Sequence, residues 1–181
     1  MRLYRMTVED FGLFTGMELR DEDMSALRNA AGKMSAKMRA VRIVAASSVS
    51  RKDLQQRLVQ KGESPQQAKE AVQWLEELHL VDDRQTAAQI VSRCIAKGYG
   101  IARAKQALYE KRIPKDLWEE ALEDYPDQME NITAFLRARL SDTDDTGAVK
   151  RAMDALIRRG HSYAVIQRAL RHLGCDDFSE E

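Results

Sequence analysis

One spacing of apolar residues occurs three times along the chain. Each time it surrounds a polar residue or glycine that opens a helix, and these opening residues are Ser50, Gly100 and Ser162. Apolar residues stand ten, nine, six and five positions before each of them, and four and eight positions after it. Steps of three and four place side chains on one face of an α-helix. A register that returns about every 50–60 residues therefore predicts internal helical repeats.

The same register predicts which residues form the core. Before the opening residues stand Ala40, Val41, Val44 and Ala45, then Ile90, Val91, Cys94 and Ile95, then Ala152, Met153, Leu156 and Ile157. After them stand Leu54 and Leu58, Ala104 and Leu108, and Ile166 and Leu170. A third helix follows in the first two copies, with Ala68, Ala71 and Val72 matching Trp118, Ala121 and Leu122. In the third copy, residues 128–140 are predicted to fold back over the core instead.

Residues that start and end helices agree with this register. Ser50 and Ser162 are predicted N-caps, because a serine hydroxyl accepts a hydrogen bond from a backbone N–H of the first helical turn. Gly98 and Gly160 are predicted to follow the ends of helices, where the chain turns through the left-handed conformation that glycine adopts readily. Helix boundaries and apolar positions thus give the same arrangement.

These patterns predict an all-α fold, an elongated and curved array of three tandem three-helix repeats. The predicted parts are an N-terminal extension over 1–36, helical repeats over 37–80, 81–125 and 126–175, and an acidic tail over 176–181. The extension differs from the rest, because Tyr4, Met6 and Val8 alternate with polar residues as in a strand. A short β-flap is therefore predicted at the N-terminus. Gly32 is predicted to end or bend the helix that starts near Asp21.

Charge alternates in blocks, although the whole chain is neutral. Lys plus Arg and Asp plus Glu are both 29, so the overall charge does not indicate a strongly basic nucleic-acid binder. Basic residues dominate 28–62, 84–115 and 146–175, and acidic residues dominate the two segments between them. Two interpretations stay open. The blocks are either alternating solvated faces, or a basic surface on the first two helices of each repeat that forms a stripe for a long acidic partner.

No group of residues in the sequence indicates catalysis or a bound metal. His79, His161 and His172 are scattered, without a second ligand at metal-binding spacing. Cys94 falls on the apolar register and is predicted to lie in the core. The sequence contains neither a phosphate-binding glycine loop nor a nucleophile motif. We therefore expect no enzyme, no cofactor and no metal site.

The carboxylates near residue 80 have two interpretations. Asp82 and Asp83, together with Glu76 and Glu77, resemble a metal-binding cluster. A helix is predicted to begin directly after them, however, and an aspartate is a common N-cap. The cap is therefore the preferred interpretation.

The N-terminus and the cysteines predict a cytoplasmic protein. Arg2 is not followed by the roughly 7–15 apolar residues of a signal peptide. No apolar run approaches the ~20 residues needed to span a bilayer. Cys94 and Cys175 form no Cys-x-x-Cys pair, which is typical of a reducing compartment. A monomer without membrane association is expected.

Four short motifs follow one another along the chain. They are Ser50-Arg-Lys-Asp-Leu54, Leu80-Val-Asp82-Asp83, Lys97-Gly98-Tyr99-Gly100 followed by Arg103, and Arg159-Gly160-His161-Ser162. In order and spacing these motifs resemble the RecX family of regulatory proteins, modulators of the bacterial RecA recombinase. The resemblance covers about residues 38–173. The motif residues with implied structural roles are Ser50, Leu54, Asp82, Asp83, Gly98, Tyr99, Gly100, Gly160 and Ser162.

Besides Asp53, which stands where Glu is usual, the sequence departs from the family pattern at three positions. Thr86 stands where Phe or Tyr is usual, Arg112 where Gly is usual, and His161 where an aromatic residue is usual. Individual packing contacts are expected to differ at these positions.

The resemblance implies a crescent that lies in the groove of the filament formed by RecA on single-stranded DNA. Family members modulate filament extension, ATP hydrolysis, strand exchange and the coprotease activity of RecA, mostly by inhibition. The implied roles lie in DNA repair, DNA recombination and the SOS response. The implied partners are RecA and its filament on single-stranded DNA, and weak direct binding to DNA fits the basic blocks.

Basic residues on the solvent side of the repeat helices are the predicted contacts with the filament. They are Arg42, Arg51, Lys52, Arg57, Lys97, Arg103, Lys105, Arg151, Arg159 and Arg168. Such charges would make association fast and sensitive to salt. Two other functions fit the same sequence: a free-standing nucleic-acid-binding helical-repeat protein, and a helical scaffold for a different protein.

Overall fold

The computed structural model describes residues 3–140 and 145–174. The chain divides into two compact units, Met1–Thr86 and Ala87–Glu181. The acidic tail predicted over 176–181 lies outside the described residues. In the part of the chain that is described, no helix combines the length and the apolar character needed to cross a bilayer.

Every regular element of the described residues is helical, which confirms the predicted all-α class. The first unit contains α1 (Arg5–Asp10), α2 (Asp21–Ala46), α3 (Arg51–Gln60), α4 (Pro65–Glu77) and the first residues of α5 (Asp83–Ala96). The second unit contains the rest of α5, α6 (Ile101–Glu110), a 3-10 turn (Lys115–Leu117), α7 (Trp118–Leu122), α8 (Met129–Arg137), α9 (Thr146–Arg158) and α10 (Tyr163–His172). The predicted repeat boundaries and the curvature of the array stay predictions.

The predicted N-terminal β-flap is wrong, because this segment forms the helix α1. The Arg5 Nε atom lies 2.7 Å from the Glu9 Oε1 atom, a pairing across one helical turn that a strand could not make. Thr7 is the buried residue of α1, whereas Met6 is 60% exposed. The alternating apolar residues that suggested a strand therefore do not mark a buried face.

Helix α2 continues through the two positions where the sequence predicted a change. It runs without a break past Gly32 and past residue 36, where the predicted extension ends. An added Cβ at Gly32 would lie less than 3.0 Å from the Gln67 side chain on α4. Contrary to the prediction, Gly32 therefore does not end α2, and the end of the Gln67 side chain lies in the space beside it.

The predicted helix starts are confirmed at both serines of the register. The Asp53 backbone N–H donates to the Ser50 hydroxyl over 3.1 Å, and the Val165 N–H donates to the Ser162 hydroxyl over 3.4 Å. Gly98 and Gly160 follow helix ends with φ angles of +63° and +87°, in the left-handed region predicted for them.

The apolar core of the first unit joins α2, α3 and α4. Leu54 and Leu58 of α3 and Leu75 of α4 are fully buried. Ala40 of α2 is also fully buried, whereas the predicted core residue Ala45 is exposed. Ala45 lies in the last turn of α2, next to the residue where the helix ends.

The second unit contains two separate groups of buried residues. One joins α5, α6 and α7, and contains Ile90, Val91, Cys94, Ala104, Leu108 and Leu122. The other joins α8, α9 and α10, and contains Ile132, Leu136, Met153, Leu156, Ile166 and Leu170. The prediction that 128–140 covers the last core is confirmed by the complete burial of Ile132 and Leu136. The prediction for Ile157 is wrong, because this side chain is 47% exposed.

Candidate partner-binding surface

Six of the ten predicted contact residues are engaged within the protein. Five arginines form ion pairs, which are Arg51 with Asp83 and Glu76, Arg57 with Asp53, Arg103 with Glu110, Arg151 with Asp145, and Arg168 with Asp127. The Arg159 guanidinium carbon lies 4.8 Å from the centre of the Phe135 ring, within the range of a cation–π contact. Part of the cationic surface predicted from the sequence is therefore neutralised or used for packing.

The other four predicted contact residues are exposed cations. Within the described residues, the side chains of Arg42, Lys52, Lys97 and Lys105 form no ion pair or hydrogen bond, and all four are exposed. Arg42 and Lys52 belong to the first unit, and Lys97 and Lys105 belong to the second. Because no internal carboxylate competes for them, these four cations are the ones most available to an acidic or phosphate-bearing partner.

An ionic contact holds the N-terminus of α3. The Arg51 backbone N–H donates to Asp83 Oδ1 over 2.8 Å, and Arg51 Nε donates to Asp83 Oδ2 over 3.0 Å. The Arg51 guanidinium also donates to Glu76 at the end of α4. Asp83 is only 4% exposed, and its hydrogen bond to Arg51 raises the pKa of that guanidinium. Arg51 and Asp83 therefore stabilise the fold rather than present charge to a partner.

A backbone contact holds the N-terminus of α6. The Gly100 N–H donates to the Arg159 carbonyl over 3.0 Å, and the Ala102 N–H donates to the Gly160 carbonyl over 3.3 Å. Gly100 and Gly160 are both buried. These hydrogen bonds join the start of α6 to the turn between α9 and α10. They bring the motif that contains Gly100 into contact with the motif that contains Arg159 and Gly160.

Two further hydrogen bonds surround this backbone contact. The His161 Nε2 atom lies 3.0 Å from the Gly98 carbonyl oxygen, and burial lowers the pKa of His161. The Tyr125 hydroxyl donates to the Tyr99 carbonyl over 2.7 Å. Burial raises the pKa of Tyr125 to about 12, so its hydroxyl keeps its proton at neutral pH. The motif around Gly98 is therefore a structural junction.

The carboxylates near residue 80 act as helix-starting groups. Asp82 Oδ1 accepts hydrogen bonds from the backbone N–H groups of Arg84 at 2.8 Å and Gln85 at 3.2 Å. The preferred interpretation of Asp82 as a cap is thus confirmed. Among the described residues, no group of three or more His, Cys, Asp and Glu side chains is arranged to hold a metal ion.

Sequence reasoning missed two residues of α6 that face solvent. Tyr109 is 65% exposed and Ile101 is 43% exposed, and Lys105 lies between them at spacings of four residues on either side. These spacings place the three side chains in one line along the helix. The signal was present in the sequence, since Ile101 and Tyr109 fall outside the buried register. Exposed tyrosine beside a free cation is typical of interaction surfaces.

Comparison with known proteins gives one consistent family. Residues 82–122 match the family described as RecX, second three-helix domain. The regulatory protein RecX of Stenotrophomonas maltophilia (strain R551-3) is 29% identical over 137 residues, covering 74% of this chain and 84% of the relative. The regulatory protein RecX of Prosthecochloris aestuarii (strain DSM 271 / SK 413) is 27% identical over 126 residues, covering 68% of this chain and 83% of the relative.

Solved structures show the same fold. The crystal structure of RecX from Lactobacillus salivarius matches with a TM-score of 0.69 at 20% identity, covering 80% of this chain and 98% of that one. A second crystal structure of a regulatory protein RecX matches with the same TM-score and identity, covering 90% of this chain and 83% of that one. The class is therefore an all-helical protein that contains a RecX-type three-helix domain. The matching domain, the similar regulatory proteins and the shared fold together support a RecX family protein.

Proposed function

We propose that this protein is a non-enzymatic regulator of RecA that acts mainly as an inhibitor. It binds as a monomer in the groove of the RecA filament on single-stranded DNA. The observation that carries this proposal is the pair of free cations Lys97 and Lys105 in the second unit, where α6 also carries the exposed Tyr109, in a chain that matches the RecX second three-helix domain over residues 82–122. The proposed setting is DNA repair and recombination in the cytoplasm, including the SOS response.

Charge distribution supports a partner that is acidic and extended. Among the described residues, two of the four free cations lie in the first unit and two lie in the second. A partner that offers phosphates and acidic side chains at intervals can meet them separately. Bound in this way, the protein slows ATP hydrolysis by RecA and impedes filament extension, strand exchange and coprotease activity.

The test is DNA-dependent ATP hydrolysis by RecA as this protein is added at substoichiometric to equal amounts. We expect hydrolysis to slow in proportion to the protein added until saturation. Unchanged ATP hydrolysis and unchanged strand exchange at saturating protein would contradict the proposed function.

A pair of double variants tests the contact residues. Lys97→Glu with Lys105→Glu should weaken inhibition at least about tenfold, since each reversal turns an attraction into a repulsion. Lys69→Glu with Lys115→Glu changes the net charge equally at two exposed lysines outside the predicted contacts, and it should inhibit like the parent protein. Equal loss in both double variants would mean that only net charge matters, and equal activity in both would exclude Lys97 and Lys105 as contacts.

A second function is favoured by Tyr109. An exposed aromatic ring near a lysine can stack on a base of single-stranded nucleic acid, worth about 1–3 kcal/mol per base. A free-standing nucleic-acid-binding protein would bind single-stranded or duplex DNA tightly without RecA, with a steep loss of affinity as salt rises. Weak binding to DNA alone, together with strong binding to RecA filaments, would favour the first function.

A further inference from the structure

The contact between Gly100 and Gly160 requires that neither residue carries a side chain. A Cβ atom added at Gly100 would lie less than 3.0 Å from the Gly160 carbonyl group and from the backbone nitrogen of His161. One added at Gly160 would lie less than 3.0 Å from the backbone nitrogen and Cβ of Arg103. The atoms in the way belong mostly to the backbone, so they cannot move aside as the end of a long side chain can. Two chain segments approach here as closely as glycine permits.

The requirement at Gly100 is for space and not for an unusual backbone conformation. Its φ angle is −76°, which any residue adopts easily. Ser50 and Ser162 occupy the same position of the register, and each caps its helix with its hydroxyl. Gly100 gives α6 no such cap. The close approach of Gly160 explains why a weaker helix-starting residue stands at this position.

The glycine contact also fixes the orientation of helices that carry candidate contact residues. Lys97 lies three residues before Gly100, and Lys105 lies five residues after it on α6. Across the contact, Gly160 lies between α9 and α10. The two backbone hydrogen bonds, together with the His161 contact to Gly98, leave little freedom between α6 and α10.

We propose that Gly100 and Gly160 are positioning residues for partner binding, because they lock α6 onto the turn between α9 and α10. This inference rests on the proposed function. A surface that is held rigid before binding loses less conformational freedom when it binds. Opening the contact therefore weakens binding to the RecA filament even though Lys97, Lys105 and Tyr109 are all present.

The decisive variant is Gly100→Ala, and the matched controls are Gly62→Ala and Gly174→Ala. Gly62 and Gly174 have φ angles of +92° and +81°, but nothing lies within 4 Å of an added Cβ at either position. If backbone strain alone mattered, the two controls would lose inhibitory potency and Gly100→Ala would keep it. If the close contact matters, Gly100→Ala loses potency and the two controls keep it.

Two measurements are made on each variant under conditions where its circular dichroism matches that of the parent protein. Hydrogen exchange of the amides of residues 100 and 102 reports on the contact itself, and inhibition of RecA ATP hydrolysis reports on binding. In Gly100→Ala we expect exchange to accelerate at both amides and inhibitory potency to fall at least about tenfold. The controls should keep potency within about twofold and should leave these amides protected.

Each remaining outcome has one meaning. If the amides of Gly100→Ala exchange quickly but the variant inhibits RecA like the parent protein, the positioning role is overturned. The proposed function would be unaffected by that result. Parent protein that does not inhibit RecA overturns the proposed function, and the positioning role with it. If Gly100→Ala does not fold, His161→Ala replaces it, since this change removes the contact with Gly98 and keeps both glycines. His161→Ala with rapid exchange and full potency overturns the positioning role equally.

Discussion

Helices α3 and α6 occupy the same place in the sequence register, but their N-termini are held by opposite chemistry. At α3, the buried carboxylate of Asp83 accepts hydrogen bonds from the backbone and the guanidinium of Arg51. At α6, the carbonyl groups of Arg159 and Gly160 accept from backbone N–H groups, and no side chain takes part. One contact depends on charge and the other on the absence of a side chain.

The difference shows how one register can serve two purposes. Arg51 was predicted from the sequence to contact a partner, but at the N-terminus of α3 its side chain is paired with Asp83 within the protein. The α6 contact uses no charge, and Lys97 and Lys105 beside it stay free among the described residues. The second unit therefore offers a rigid start of α6 together with unpaired cations, and this makes it the stronger candidate for the partner-binding surface.

The largest expected effect comes from Gly100→Ser. Serine is a better N-cap than glycine at an unobstructed helix start, yet here its Cβ would clash with the Gly160 carbonyl group. We expect a loss of about 2 kcal/mol in the free energy of unfolding, as for overpacked interiors. Urea unfolding measures this, with Ser162→Gly as the reverse change, expected to cost a few tenths of a kcal/mol. A more stable Gly100→Ser protein would show that the close contact is absent in solution.

Asp83→Asn should give the next largest effect. The amide keeps the shape of the carboxylate but loses its charge, and hydrogen bonds to charged groups contribute more than neutral ones. Because the Arg51 side chain is 43% exposed, solvent screening reduces the loss to about 1 kcal/mol. Urea unfolding in low and high salt measures it, and the parent protein should lose part of this contribution at high salt. The loss of unfolding free energy caused by Gly100→Ser should not depend on salt. If the losses caused by both substitutions depended equally on salt, the two helix starts would not differ in their dependence on charge.

A smaller effect is expected from acidification, through His161. Burial lowers the pKa of His161 below its ordinary value of 6.5, so the unfolded chain takes up a proton more readily than the folded one. The contribution of neutral His161 to the free energy of unfolding is therefore fully present above pH 6.5. It is lost as the pH falls through the lowered pKa of His161 in the folded protein. Thermal unfolding between pH 7.5 and 5.5 measures this decline.

The control for the pH effect is His161→Phe, which places the family's usual aromatic residue at this position without a titrating group. Its melting temperature should vary less between pH 7.5 and 5.5 than that of the parent protein. The same pH dependence in both proteins would assign the decline to other groups.

The smallest effect is a gain from Arg112→Gly. Arg112 adopts a φ angle of +55°, in the left-handed region that costs a residue with a side chain about 1–2 kcal/mol. Glycine removes this strain but adds freedom to the unfolded chain, so we expect a net stabilisation of up to about 1 kcal/mol. Thermal unfolding checks the sign, and a destabilised variant would mean that the arginine side chain contributes more than its backbone strain costs.

Much of the fold could be predicted because the apolar register reports directly on burial. Leu54, Ala104 and Ile166 share one register position and are all fully buried. The errors occurred where tertiary contacts decide the outcome. At α1, an apolar alternation too short to distinguish a strand from a helix was misread, and at Gly32 the close approach of Gln67 was invisible in the sequence.

The candidate surface could be predicted only in part, because sequence shows charge but not pairing. Arg51 and Lys52 are adjacent and equally cationic, yet Arg51 is held by Asp83 and Lys52 is exposed. The distance of 32 residues between Arg51 and Asp83 gives no local signal of their contact. The family resemblance drew attention to Gly100 and Gly160, but only the structure brings these two glycines together.

We propose that this protein binds along the RecA filament through the second unit, and electron cryo-microscopy of the filaments would reveal this contact. Filaments on single-stranded DNA would be imaged with the protein at saturation. We expect repeating density in the filament groove, with Lys105 and Tyr109 of α6 at the contact. Filaments without added density, or with the protein oriented so that α6 faces solvent, would contradict it.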